Sequence, residues 1–100
     1  MKTIYKYGLP AGGDGVEVVS MPKGAKRLHL GLDPCGDLCL WAEVDTAAES
    51  EMWMVVAMGT GWPLDEVSDM EYWGTINDGC CYMWHYYGKK MEKNDGWEKE

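Results

Sequence analysis

Phenylalanine is absent from this chain, and so is every lysine and arginine between Leu28 and Gly88. The first absence makes every aromatic ring a Trp or a Tyr, six of each, so that each carries a polar N–H or O–H on a large apolar body. With Leu and Ile scarce, some of these rings must build the core. Any surplus left at the surface marks an interaction patch. The second absence speaks against a direct grip on nucleic acid, which needs clustered cations to displace phosphate counterions. No apolar run approaches the roughly 20 residues of a membrane helix, and the longest, Trp53–Met58, suits a buried strand. The opening Met1-Lys2-Thr3-Ile4-Tyr5-Lys6 has no apolar stretch of signal-peptide length, so the expected location is the cytoplasm.

What charge there is has a pattern. The net charge is −8, and five of the nine cations (Lys2, Lys6, Lys23, Lys26, Arg27) precede Leu28, while Lys89, Lys90, Lys93 and Lys99 close the chain. Eleven carboxylates, Asp33 to Asp78, fill the stretch between. Such an acidic body keeps copies apart by repulsion and steers association toward a basic surface.

One hundred residues support a single modest core, and 13 glycines with four prolines call for many tight turns. Short segments rich in β-branched and aromatic residues, divided by turn signals, predict a mainly β domain: an antiparallel sandwich or partly open barrel of six or seven strands. The expected strands are Thr3–Tyr7, Val16–Met21, Ala25–Leu32, Leu38–Val44, Met52–Met58, Glu71–Ile76 and Cys80–Tyr87, with at most one helical turn within Leu64–Met70. In the third strand, Leu28, Leu30 and Leu32 are expected inward and Arg27 and His29 outward. Asp33-Pro34-Cys35-Gly36 fits a type I turn, Pro22-Lys23-Gly24 a tight connection, and Asn77-Asp78-Gly79 a hairpin. The domain is placed at residues 1–88, with a polar tail at 89–100.

Several constellations carry chemical potential. Cys35, Cys39 and Cys81 with His85 have ligand types suited to zinc, but adjacent Cys80 and Cys81 point to opposite faces of a strand and only one can ligate. The favoured alternative is buried thiols in a reducing compartment. Gly59-Thr60-Gly61 offers consecutive N–H groups to an anion, without the lysine and following helix of a phosphate-binding loop. No histidine has a predictably placed nucleophile or acid beside it, so a non-enzymatic protein without a cofactor is expected.

The pieces Lys2-Thr3-Ile4-Tyr5-Lys6-Tyr7, Met21-Pro22-Lys23-Gly24-Ala25-Lys26, Cys39-Leu40-Trp41-Ala42-Glu43-Val44-Asp45, Gly59-Thr60-Gly61-Trp62-Pro63, Tyr72-Trp73-Gly74-Thr75 and Trp84-His85 follow one another in an order that resembles a family of small proteins of tailed bacteriophages and prophages. The resemblance covers roughly residues 2–87 and implies a phage or prophage origin and a small β-rich domain. It carries over no activity and no site. The glycine-rich Leu9–Gly15 loop and the charged tail after Gly88 depart from the family pattern.

Two functions follow as expectations. The first is an inhibitor of a host defence protein, acting in the host cytoplasm on a basic surface. Its binding face would join Glu43, Asp45, Glu49, Glu51, Asp65, Glu66, Asp69 and Glu71 to Trp53, Trp62 and Trp73. The second is a module sequestering a small nucleotide signal, with Gly59, Thr60, Gly61 and Trp62 holding it and Arg27 supplying a cation. Self-association into a homo-oligomer is compatible with either.

Overall fold

Leu38, Leu40, Ala42 and Val44 recur at every second position, the period at which side chains share one face of a strand. The computed structural model describes residues 1–9, 16–77 and 81–91, and in it this segment is the centre of a three-stranded sheet. The strands are β1 (Lys2–Gly8), β2 (Val16–Pro22), β3 (Lys26–Leu32), β4 (Leu38–Asp45), β5 (Ser50–Gly59), β6 (Glu71–Asn77) and β7 (Met83–Lys90), with one 3-10 turn at Asp65–Val67. They form two antiparallel sheets, ordered β1-β4-β3 and β2-β5-β7-β6. The expected mainly β architecture is the one observed, and it is an open sandwich, not a closed barrel.

The sheets meet through the alternating inward residues of their strands. Leu40, Ala42 and Val44 from β4 pack in one cluster with Met21, Val55, Ala57 and Tyr86 from the other sheet. Strand β5, apolar on both faces in the sequence, lies between β2 and β7, so both of its backbone edges are paired. Trp73 is the extra residue of a bulge between Tyr72 and Gly74, and the bulge turns its indole into the core. The ring lies against buried Gly88: a Cβ there would stand 2.2 Å from Trp73 Cζ2. Glycine at 88 is therefore required by close approach.

One expectation on β3 is corrected. Leu28 and Leu32 are 45% and 52% exposed, whereas Arg27 lies half-buried over the Trp73 ring, its Cζ 5.2 Å from the centroid. For Leu28 and Arg27 the cause is a bulge between Arg27 and His29, which takes Leu28 out of the ladder and reverses the parity N-terminal to it, whereas Leu32 keeps the parity of Leu30 and is exposed as the last residue of the strand. Leu30 remains packed against the core.

The Asp33–Gly36 turn forms, with Gly36 N–H donating to Asp33 O (2.9 Å) and the Asp33 carboxylate accepting from Cys35 N–H (2.9 Å) and Asp37 N–H (2.9 Å). Gly24 takes the left-handed φ of +85° that its tight connection needs. Strand β7 begins three residues later than expected and runs to Lys90, beyond the domain limit placed at 88, and Met91 N–H continues its pairing to Met52 O (2.9 Å). The Leu9–Gly15 loop beyond Leu9, the centre of the Asn77-Asp78-Gly79 hairpin and the tail from residue 92 lie outside the described residues. Among the described residues no helix is long and apolar enough to cross a membrane.

Candidate functional site

Topology brings the basic chain ends onto the acidic middle. β1 lies beside β4, placing Lys2 3.9 Å from Glu43 and the N-terminal amine 3.3 Å from Asp45. β7 lies beside β5, and its last residues bring Lys90 to Glu51 (3.6 Å) and Lys89 to Asp69 (2.8 Å). Arg27 joins Glu71 at 3.2 Å across the gap between β3 and β6. Lys6 reaches Asp33 at 2.8 Å, and its donated hydrogen bond is the main reason the Asp33 carboxyl is held down at about 2. The hydrogen bond from Lys89 likewise lowers the Asp69 carboxyl, and Ala47 N–H lowers Asp45. Of the eight carboxylates expected to form one acidic face, five are thus neutralised in place. Glu49, Asp65 and Glu66 make no ion pair among the described residues.

Two of those three sit on the Thr60–Met70 crossover, which carries the chain from β5 past β7 to β6. Trp62 N–H donates back to Gly59 O (3.1 Å), making a turn at the strand end, and Pro63 prevents its extension. Val67 N–H donates to Leu64 O (3.1 Å), closing the 3-10 turn, and the Val67 side chain is buried as its anchor. The Lys89–Asp69 pair fastens the far end.

The near end is fastened by a chain of side chains that the sequence did not announce. His85 Nε2 is 2.7 Å from Thr60 Oγ1, His85 Nδ1 is 2.9 Å from Thr75 Oγ1, and Thr75 Oγ1 is hydrogen-bonded to Tyr72 OH. Thr75 faces His85 because β6 and β7 first pair at Asn77 and Met83. A tight two-residue hairpin would have placed Thr75 opposite Tyr82, so the signal depended on a loop length that composition does not specify. Both imidazole nitrogens end on hydroxyls, so neutral partners orient the ring. The arrangement is built to hold the crossover.

At the surface of this crossover, Trp62 and Leu64 are 46% and 48% exposed. Trp62 stands edge-on to Trp84, ring centroids 5.5 Å apart, and Tyr82 packs on the same indole at 6.0 Å. Met58, Trp62, Pro63, Asp65 and Glu66 line a hollow of about 480 Å³. An aromatic anchor, an aliphatic neighbour and two carboxylates without an ion pair among the described residues therefore share one exposed segment, the Trp62–Glu66 lobe.

The other expected residues are elsewhere. Trp53 and Trp73 pack together at 5.9 Å and, with Lys26, Arg27 and Glu71, line a cleft of about 380 Å³ between the sheets. Arg27 is therefore not near Gly59, Thr60, Gly61 and Trp62: Trp53 and Gly59 lie six residues apart along β5, roughly 20 Å. Cys39 is buried in β4, where burial raises its thiol and its Sγ lies 3.5 Å from Asp37 O, while His85 belongs to the other sheet. Cys35 and Cys81 are exposed, so of these three only Cys39 is the buried thiol that was expected. Among the described residues no group of three or more His, Cys, Asp or Glu is placed to hold a metal ion.

No curated protein and no solved structure matches the chain. A family model does match, over residues 1–96, and the chain belongs to that family, described as a domain of unknown function (DUF7352).

Proposed function

We propose that this member of the family acts without catalysis, by docking the Trp62–Glu66 lobe onto a basic surface of another protein. One observation carries the reading: where the fold pairs Glu43, Asp45, Glu51, Asp69 and Glu71 internally, Asp65 and Glu66 make no ion pair among the described residues and stand beside exposed Trp62 and Leu64. Trp is a frequent interface anchor, because its large area buries at little conformational cost, and flanking carboxylates speed and orient the encounter with a cationic partner. The broad acidic face expected from the sequence contracts to this lobe. The resemblance to phage and prophage proteins supports such an origin, and the proposal extends to a host defence protein as the partner and inhibition as the effect.

The test is capture of partners from host lysate with three proteins: the native chain, Trp62→Ala, and Asp65→Lys with Glu66→Lys. A partner held by the native chain is expected to be lost in the first variant and captured more slowly in the second. Capture unchanged by all three substitutions refutes the reading.

The cleft at Lys26, Arg27, Trp53 and Trp73 supports a second reading, in which a planar anion is held between indole faces and cations. It relocates the nucleotide-binding expectation away from Gly59–Gly61. Calorimetry with cyclic and ADP-ribose-type nucleotides tests it: heat abolished by Arg27→Met supports the cleft, and no heat at high concentration removes the reading.

A further inference from the structure

Four strands lie at sheet edges: β1 and β3 in one sheet, β2 and β6 in the other. An unprotected edge invites pairing with another chain, and natural edges carry charges or bulges that prevent it. β1 has Lys2 and Lys6 along its length. β3 has a bulge after Arg27, and β6 has one at Trp73. β2 has no bulge, its one charge (Glu17) and its proline (Pro22) lie toward its two ends, and it exposes Val16 (55%) and Val18 (43%) on its outer face.

The ladder also tells which of its backbone groups are free. Lys23 N–H donates to Glu49 O at 2.7 Å, one step beyond the Pro22–Ser50 pair and in the same register. Antiparallel bonding alternates along a strand, so the N–H groups of Val18 and Ser20 point away from β5. Pro22 falls in the same outward set, which is why a residue without an N–H is tolerated in β2.

The charges at the two ends of this edge are opposite. Glu17 stands at one end and Lys23 just past the other, and neither makes an ion pair among the described residues. Between them lie only Val18, Val19, Ser20, Met21 and Pro22. An edge that reads negative, neutral, positive is complementary to itself when run antiparallel.

We propose that β2 is a self-association edge: two copies pair antiparallel about a two-fold axis at Ser20, with Glu17 of each facing Lys23 of the other. The register follows from counting, since a dyad at position 20 sets 17 opposite 23 and 18 opposite 22. Ser20 N–H then donates to Ser20 O of the second copy, and Val18 N–H to Pro22 O, each twice by symmetry. The Glu17–Lys23 pairs fall in the closely spaced, non-hydrogen-bonded positions, where opposite side chains interact most directly. The two four-stranded sheets become one continuous sheet. It presents two Trp62 lobes on a rigid frame, and a two-fold partner would bind both with the advantage of linkage. The proposal itself does not rest on the lobe's function.

The experiment is sedimentation equilibrium of the full chain over a concentration series. The native chain is expected to dimerise. Glu17→Lys and Lys23→Glu are each expected to weaken the dimer about tenfold or more, since each sets two like-charge pairs face to face. The combined Glu17→Lys and Lys23→Glu exchange is expected to restore it to within about threefold of native, because the pairs re-form with signs reversed. Val18→Pro removes an outward N–H and is expected to abolish it, and if that variant misfolds the charge exchange decides alone. A chain monomeric at every concentration overturns the proposal. So does a dimer indifferent to both single reversals, or one lost in both and not regained in the exchange.

Discussion

Replacing Gly88 by alanine adds one methyl group at a point already occupied by the Trp73 indole. That Cβ would lie 2.2 Å from Trp73 Cζ2 and 2.3 Å from Cε2. Carbon contacts are comfortable only near 3.5 Å, so the indole must retreat by roughly 1.3 Å. It has little room to do so. Trp53 lies 5.9 Å away on one side, and the Arg27 guanidinium, itself tied to Glu71, covers the ring at 5.2 Å. Overpacking of this kind costs about 1–3 kcal/mol, and displacing the cation from the ring adds about 0.5–1 kcal/mol. We expect Gly88→Ala to destabilise the protein by about 3 kcal/mol, which for a domain of this size lowers Tm by about 15 °C. Urea unfolding followed by Trp fluorescence and far-UV circular dichroism measures the loss. Trp73→Leu supplies the control, because removing the ring removes the clash: the double variant should recover at least about 1.5 kcal/mol relative to additivity. Gly88→Ala within about 0.5 kcal/mol of native, or strict additivity of the two changes, refutes the account of Trp73 as a wedge on Gly88.

Asp33 supplies a pH prediction. Its folded carboxyl titrates near 2, below the ordinary 3.8, so its contribution is complete above the ordinary value and is lost as pH falls toward about 2. Carboxyl NMR should place its midpoint in that range, Lys6→Met should raise it, and a midpoint unchanged by Lys6→Met refutes the Lys6 hydrogen bond as its main cause. Thr60→Val removes the near fastening of the crossover. Amide exchange in Thr60–Met70 should quicken about tenfold while global stability falls by only about 1 kcal/mol. Unchanged exchange would show that His85 does not hold that segment.

Much of the architecture was legible because it depends on local chemistry. The alternation of Leu38 to Val44, the two-sided apolar run of β5, the Asp33-Pro34-Cys35-Gly36 turn and the short helical turn after Pro63 each state a preference within a few residues. The errors arose where one residue changes a parity. The bulge at Leu28 exchanged the places of Leu28 and Arg27, and the span between Asn77 and Met83 shifted β7 by three positions, bringing Thr75 to His85. A bulge or a longer loop costs the chain little locally and leaves no strong compositional trace, yet it re-aims every side chain beyond it.

By itself the sequence determined a small β domain without a cationic body and with only Trp and Tyr as its rings. It also determined that positive charge stands at the ends and negative charge in the middle. Only the tertiary structure decided that these charges meet. Antiparallel pairing laid β1 on β4 and β7 beside β5, so Lys2, Lys89 and Lys90 reach Glu43, Asp69 and Glu51. Among the described residues the acidic middle that dominates the linear chain stays without ion pairs at Asp37, Glu49, Asp65 and Glu66, because strand order, not distance along the chain, sets which charges are neighbours.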